Sequence, residues 1–219
     1  MTHKTSKSHI MDTQKAQRFN HLAKTALAPA NPVIARQIKE TCGIISGTAI
    51  DVGSGPALLA IELARITSLR IYAMDLSEAM HPIATENILN AGCSDRIFPV
   101  TGDAEKMPCP DASADLMVSR GAAFFWEEPA AAFRECRRVL KIGGKAFIGG
   151  GFGSESLLAE IKQTMDTIDP TWIDGVRTRL GTEMADRFRD ALGKAGIQDY
   201  EILHDSWQLW VIFGKEDMQ

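Results

Sequence analysis

The sequence has little of what marks several large classes of protein. Its 24 Lys and Arg residues are outnumbered by 28 Asp and Glu residues, which gives a formal net charge of -4. Because proteins that grip a phosphate backbone are usually basic, nucleic acid is not an expected partner. No apolar run approaches the roughly 20 residues that a membrane-spanning helix needs, so no membrane span is expected. Nothing in the sequence indicates an oligomeric state.

Cysteine and histidine are few and scattered. The chain has 4 cysteines with no C-x-x-C pair and 5 histidines that form no cluster along the sequence. These spacings predict neither a metal site nor a disulfide framework. The N-terminal sequence MTHKTSKSHI lacks the apolar core of a signal peptide. Together these features predict a reducing, cytoplasmic location.

The rest of the chain alternates short apolar runs with amphipathic segments. Strands are predicted near residues 48–52, 69–74, 96–100, 114–119, 145–149, 199–204 and 207–213. Helices are predicted over 56–66, 77–91, 129–140, 155–168 and 182–195, with Ser77 capping the second. This alternation favours a parallel sheet, and the short link between the last two strands requires antiparallel pairing. The predicted fold class is α/β: a Rossmann-like, seven-stranded, mostly parallel sheet with helices on both faces and an antiparallel C-terminal hairpin.

The first 45 residues show helical spacing and no strand. Asn31-Pro32 is typical of a helix start, with Asn31 as the cap and proline at the first helical position. We therefore divide the chain into an N-terminal tail and helical cap over 1–45 and a main domain over 46–219.

The first predicted strand runs into a glycine turn and then a helix, in the sequence AIDVGSGPA at 49–57. Such corners bind ligands through the free N–H groups of the helix start. The dinucleotide motif G-x-G-x-x-G would need a third glycine where Leu58 stands. Asp51 would repel a pyrophosphate and attract an ammonium or sulfonium group, by about 4 kcal/mol at roughly 4 Å and a dielectric near 20. This charge argument favours S-adenosylmethionine over NAD.

Two further acidic residues follow predicted strands. Asp75 ends the second strand, where a carboxylate can accept hydrogen bonds from both hydroxyls of a ribose. Asp103 follows the third strand and could accept from an adenine amino group, while the N–H of Ala104 could donate to a ring nitrogen. Both features predict a nucleoside and leave its identity open.

Four segments in order resemble one family. AIDVGSGPALLAIELA, IYAMDLSEAM, GDAEKMPCPDASADLMVSRGA and AFRECRRVLKIGGKAFIGGG are similar to the class I S-adenosylmethionine-dependent methyltransferases, with a core like that of the ubiquinone and menaquinone methyltransferases. The resemblance covers roughly residues 48–151 and is looser to residue 213. It makes residues 46–219 the S-adenosylmethionine-binding domain. Ala57 stands where the family often has a third glycine.

The resemblance also implies roles for individual residues. Those facing the methionine part of the cofactor would be Asp51, Gly53, Ser54 and Gly55. Asp75 would hold the ribose, and the adenine would meet Leu76, Asp103 and Ala104. Ser119 would lie near the transferring methyl group.

The segment after the fourth strand is expected to border the methyl-transfer site. Arg120 could hold an anionic substrate or lie on the surface. Of the three consecutive aromatics, at least one should pack in the core and Trp126 could touch substrate. The glycine run at 149–153 could be a lid hinge or a flexible link.

Three functions remain open from the sequence. The first is methyl transfer from S-adenosylmethionine to an unidentified acceptor, with a small molecule favoured and no catalytic residue named. The second is a non-catalytic module that binds S-adenosylmethionine. The third, an NAD-dependent oxidoreductase, is disfavoured by Leu58 and Asp51.

Overall fold

Residues 11–216 form seven strands and eight α-helices. The computed structural model describes residues 11–216, and the predicted tail before residue 11 lies outside the described residues. The strands are β1 (Thr48–Val52), β2 (Arg70–Asp75), β3 (Ile97–Thr101), β4 (Ala114–Arg120), β5 (Leu140–Gly151), β6 (Glu201–Asp205) and β7 (Gln208–Gly214). The helices are α1 (Thr13–Lys24), α2 (Ala30–Cys42), α3 (Leu58–Ile66), α4 (Met80–Asn90), α5 (Pro129–Val139), α6 (Glu155–Asp166), α7 (Trp172–Arg179) and α8 (Thr182–Lys194).

The strands form one sheet in the order β3-β2-β1-β4-β5-β7-β6. The first five pair in parallel, whereas β7 is antiparallel to both β5 and β6. The predicted fold class is therefore confirmed. The chain leads from β1 to β2 and β3 on one side of β1, and then crosses from β3 to β4 on its other side. Ligands of open α/β sheets bind at such a switch point, beyond the carboxyl ends of the strands.

Apolar side chains cover both faces of the sheet. On one face, residues of α2 and α3 such as Ile34 and Leu63 pack with Phe147 of β5. On the other face, Phe133 of α5 packs edge-on against Phe188 of α8, with ring centroids 5.7 Å apart. These layers fix the strand ends that carry the glycine turn and Asp75.

Some local predictions from the sequence are wrong. Helix α2 begins at Ala30, so Asn31 lies within the helix and does not cap it. Helix α4 begins at Met80, and the hydroxyl of Ser77 donates to the carbonyl of Met11 at 3.2 Å instead of capping the helix. Pro82 is the third residue of α4, where a missing N–H costs no helical hydrogen bond.

Two elements differ from prediction in extent. Helix α7 was not predicted, and β5 begins at Leu140 and runs to Gly151, well beyond the predicted 145–149. Both differences bear on the site, because α7 and the end of β5 line the cavity described below.

The predicted cap region contributes to the same core. Ile34, Ala35 and Ile38 of α2 are fully buried, and α1 packs on α4. The predicted boundary at residue 45 stays a prediction. Within residues 11–216, no helix combines the length and apolar character needed to cross a membrane.

Candidate cofactor and acceptor site

The chain turns sharply where β1 ends, and the turn requires glycine. Gly53 and Gly55 have φ values of 73° and 51°, which residues with a side chain rarely adopt. A Cβ on Gly53 would lie 2.2 Å from the Cβ of Ala122. The N–H groups of Gly53 and Ser54 donate to the carbonyl of Met74 at 2.7 and 2.9 Å. The turn is therefore fixed between the end of β2 and the loop after β4.

Ala57 also has a left-handed conformation, just before α3. Its φ is 61°, and the residue is fully buried. A non-glycine residue in this region carries conformational strain. Ala57 therefore adopts the left-handed backbone conformation that glycine would adopt without strain.

Asp75 holds the same turn from its other side. Its Oδ2 accepts the N–H of Gly55 at 2.8 Å, and its Oδ1 accepts the N–H of Ser77 at 2.8 Å. Burial raises the pKa of Asp75, and these two hydrogen bonds oppose the rise. Because each carboxylate oxygen has a second lone pair, the side chain can still accept from ligand hydroxyls.

Asp51 lies in β1 with only 1% of its surface exposed. Among the residues that the structure describes, its Oδ2 has no hydrogen-bond partner. Burial and the charge of Asp75 raise the pKa of Asp51, the N–H of Ala60 and the charge of Arg120 oppose the rise, and the net pKa is about 7. The carboxyl of Asp51 therefore changes its protonation state near neutral pH, and a cation placed close to it would favour the ionised form.

Arg120, the last residue of β4, is oriented by hydrogen bonds. Its Nη1 donates to Oδ1 of Asn31 at 2.7 Å, and its Nε and Nη2 lie 3.4 Å from the carbonyl oxygen of Gly151. Burial lowers the pKa of Arg120 to about 10, and Asp51 opposes the fall. The guanidinium stays charged at neutral pH, and Asn31 supplies its acceptor from within α2.

A cavity of about 570 Å³ lies at the carboxyl ends of β1, β2 and β4. This volume falls in the range of small-molecule sites. Helix α1 forms one wall through Phe19 and Leu22, together with Met11 just before the helix. Phe19 comes within 3.4 Å of the place where a Cβ on Gly55 would lie. The N-terminal helix therefore encloses the glycine turn.

Most of the residues singled out from the sequence line this cavity. They are Gly53, Gly55, Asp75, Leu76, Asp103, Ala104, Arg120 and Trp126. Asp51, Ser54 and Ser119 are not among the lining residues. Ser119 is fully buried and its hydroxyl donates to the carbonyl of Val52 at 2.7 Å, whereas the buried Oγ of Ser54 has no partner in residues 11–216. The roles predicted for these residues stay predictions.

The three consecutive aromatics divide between core and cavity. Phe124 stacks on Phe188 with ring centroids 5.8 Å apart, and Trp126 meets the ring of Phe133 edge-on at 5.5 Å. Both are more than nine-tenths buried, although each lines the cavity with one surface. Phe125 is 47% exposed and also lines the cavity. Phe125 is therefore the aromatic most open to a ligand.

The glycine run at the end of β5 allows close packing. Residues 149–151 lie inside β5 and are buried, so the expected hinge or flexible link is wrong for them. A Cβ on Gly149 would lie 2.0 Å from the carbonyl oxygen of Leu209, and one on Gly150 would lie 2.6 Å from Cε2 of Phe124. The absent side chains let β7 and the aromatic segment approach β5 beside the cavity.

Sequence reasoning missed the wall that α7 provides. Phe152, Trp172 and Arg179 line the cavity, and the rings of Phe152 and Trp172 meet edge-on at 5.5 Å. The guanidinium of Arg179 lies over the ring of Phe125 at 6.0 Å from its centroid. Gly175 stands four residues before Arg179, but this spacing alone does not indicate a binding site.

The fold and the site together define a nucleoside-binding protein of the Rossmann-like type. A family model described as a methyltransferase domain matches residues 50–148. A solved protein of Methanococcus maripaludis, assigned as an S-adenosyl-L-methionine-dependent methyltransferase, is 41% identical, with a TM-score of 0.91 over 100% of this chain and 98% of that one. The chain belongs to the class I S-adenosylmethionine-dependent methyltransferase family, as the sequence resemblance predicted, and S-adenosylmethionine is the cofactor of that family.

Curated relatives are similar over shorter stretches. The 2-methyl-6-phytyl-1,4-hydroquinone methyltransferase of Arabidopsis thaliana is 34% identical over 46% of this chain and 29% of that protein. The malonyl-[acyl-carrier protein] O-methyltransferase of Geobacter sulfurreducens is 31% identical over 74% of this chain and 60% of that protein. The aligned region thus spans less than two thirds of either relative.

The residues at the turn fit the family cofactor. Gly53 and Gly55 line the cavity with their backbone, and Asp75 beside them keeps free lone pairs. Next to the turn, Oδ2 of Asp51 and Oγ of Ser54 are buried without a partner in residues 11–216. Buried polar atoms without partners are rare in proteins, and their position points to a polar ligand at this corner.

Proposed function

We propose that this protein transfers the methyl group of S-adenosylmethionine to a small-molecule acceptor. One observation carries the proposal: the glycine turn, Asp75 and Asp103 share one cavity with an apolar wall that includes Phe125 and Trp172. The polar end suits a nucleoside, and the apolar end leaves room for a second molecule.

The placement of each residue supports the role that we propose for it in cofactor binding. Asp75 would accept from the ribose hydroxyls, and Leu76, with 36% exposure, would lie against the adenine. Asp103 and Ala104 would read the edge of the adenine ring. Ser119 would act indirectly, because its hydroxyl fixes the end of β4 against β1.

The amino-acid end of the cofactor carries both an ammonium and a carboxylate. Asp51 and Arg120 carry opposite charges and interact with each other next to the turn at 53–55. Arg120 lines the cavity, whereas Asp51 lies behind its wall. We assign this pair to the amino-acid end, with Asp51 favouring the cationic groups and Arg120 the carboxylate. Backbone groups of Gly53, Ser54 and Gly55 would complete the contact.

The chain itself would supply alignment and exclusion of water. When bound, the cofactor brings a methyl group on a sulfonium that a nucleophile can attack directly. The aromatic wall and α1 would hold the acceptor in line and keep water out, effects that contribute several kcal/mol in well-positioned reactions. No residue is assigned as a general base.

Calorimetric titration with S-adenosylhomocysteine and with NAD tests the cofactor assignment. We expect saturable binding of S-adenosylhomocysteine, loss of about tenfold or more in affinity with Asp75→Asn, and wild-type affinity with the exposed control Asp186→Asn. Ligand at 100 times its Kd should stabilise the protein by about 2.7 kcal/mol. Binding of NAD alone would refute the assignment.

Turnover separates methyl transfer from a non-catalytic cofactor-binding module. Candidate acceptors would be supplied with S-adenosylmethionine while release of S-adenosylhomocysteine is followed. A rate that depends on acceptor concentration supports the transferase. Tight cofactor binding without turnover on any phenol, thiol, amine or carboxylic acid in a broad panel would favour the module.

We also propose a cytoplasmic protein without a nucleic-acid partner. The net charge of -4 and the four free cysteines, three of them buried, support this setting. A filter-binding assay with duplex and single-stranded RNA at low salt tests the second part, and retention of labelled RNA at micromolar protein would contradict it.

A further inference from the structure

Among the described residues, two guanidinium groups line the cavity, and they differ in their hydrogen-bond partners. Arg120 donates to Asn31 and interacts with Asp51. Arg179, at the end of α7, has no hydrogen-bond acceptor and no carboxylate within 4 Å among residues 11–216. A partly buried charge without a counter-ion is costly, and an anionic ligand would offset that cost.

Local geometry holds Arg179 in the wall of the cavity. A Cβ on Gly175 would lie 3.0 Å from Nη1 of Arg179, so glycine at this position lets the guanidinium fold back along α7. The ring of Phe125 also lies near the guanidinium, with its centroid 6.0 Å away. Burial lowers the pKa of Arg179, and no charged neighbour among the described residues opposes the fall.

The surroundings of Arg179 are apolar and rich in rings. Trp172 and Phe152 meet edge-on, and Val176 and Leu180 of the same region are buried. All of these residues line the cavity with Phe125. A ligand here would therefore combine a flat apolar body with one negative group.

We propose that the methyl acceptor is an apolar, ring-bearing acid whose carboxylate is bound by Arg179, close to Gly175 and Phe125. The inference rests on the proposed function, since it concerns the acceptor half of the same cavity. Arg120 serves the cofactor, and Arg179 serves the acceptor. The planar guanidinium can donate two parallel hydrogen bonds to a carboxylate, which fixes the direction of the ring.

Matched pairs of aromatic acids and their primary amides test this. Benzoate, cinnamate, 2-naphthoate and indole-3-acetate, each beside its amide, would be titrated into protein saturated with S-adenosylhomocysteine. We expect at least one acid to bind about tenfold or more tightly than its amide. Absence of any such preference in the panel would overturn the proposal.

Variants of residues in α7 test whether Arg179 binds the carboxylate of the acid. Arg179→Met should remove the acid preference and leave the affinity for the amide within twofold, and Arg179→Lys should keep part of the preference. Arg177→Met is the matched control, because Arg177 is exposed on the same helix and pairs with Asp174 at 3.2 Å. Gly175→Ala should weaken acid binding by displacing the guanidinium.

Titration with the cofactor product distinguishes the failure of the acid-acceptor proposal from the failure of the methyl-transfer proposal. Arg179→Met should bind S-adenosylhomocysteine with wild-type affinity. An equal loss for cofactor and acid would assign Arg179 to the cofactor carboxylate and overturn the inference, with the methyl-transfer proposal intact. Failure of the wild-type protein to bind S-adenosylhomocysteine would refute both.

Discussion

Replacing Asp51 by asparagine should stabilise the cofactor-free protein at neutral and alkaline pH. The substitution keeps the shape of the side chain and removes a buried charge whose Oδ2 has no partner among the described residues. At the same time it should weaken binding of S-adenosylmethionine. Asp51 would thus lower the stability of the cofactor-free protein and strengthen the binding of the cofactor.

The magnitude follows from the pKa of Asp51, which burial raises to about 7 from an ordinary 3.8. Between these values the folded protein holds a proton that the unfolded chain has released, so stability falls as the pH rises through this window. The difference of about three pH units corresponds to about 4 kcal/mol, fully expressed above pH 7. Asparagine has no such dependence.

Urea denaturation of the wild type and Asp51→Asn from pH 5 to 8.5 measures this difference directly. The advantage of the variant should grow from about 2 kcal/mol at pH 5 to about 4 kcal/mol at pH 8.5. Subtracting the two curves cancels the titrating groups that do not interact with Asp51. The exposed substitution Asp186→Asn provides a control with a flat difference.

A constant difference across this range would refute the reasoning, as would a variant less stable than wild type at pH 8.5. Either result would mean that Asp51 is ionised throughout and that Arg120 satisfies it within the folded protein.

Three further predictions concern the same corner of the sheet. The affinity for S-adenosylmethionine should fall about eightfold from pH 7.5 to pH 6 as Asp51 takes up a proton, and calorimetry with Asp51→Asn should show no such trend. Gly53→Ala should destabilise the protein by roughly 2–4 kcal/mol and abolish cofactor binding, because its Cβ would meet Ala122; wild-type affinity for S-adenosylhomocysteine would contradict this. Asn31→Ala should cost roughly 1–3 kcal/mol in urea denaturation by removing the acceptor of the Nη1 group of Arg120, and Asn31→Asp should cost less.

Much of the fold could be predicted from local patterns. The strand that ends at Val52 and the helix from Leu58 are short apolar segments joined by a glycine turn, which local chemistry specifies. The antiparallel hairpin followed from the short link between β6 and β7. Cavity residues such as Asp75 and Leu76 could be predicted because they lie at the carboxyl end of a strand.

Features that depend on distant partners could not be predicted. Asn31 is a residue type that often caps helices, yet its Oδ1 accepts a hydrogen bond from Arg120, 89 residues away in the sequence. Ser77 similarly bonds to Met11. The glycines of β5 are explained by Leu209 and Phe124, which no local window contains.

The charge state of Asp51 was a second limit of sequence reasoning. The expectation of a carboxylate facing a cation took no account of burial, which raises the pKa of Asp51 to about 7. Burial depends on the packing of α3 and β4 around β1, and the sequence alone does not quantify it.

A crystal structure of the protein with S-adenosylhomocysteine tests the central claim most directly. We predict ribose hydroxyls at the carboxylate of Asp75, the amino-acid end at the turn formed by Gly53 and Gly55, and the adenine between Leu76 and Asp103. Density for the nucleoside at any other surface, with the corner at the end of β1 filled by solvent, would contradict the account.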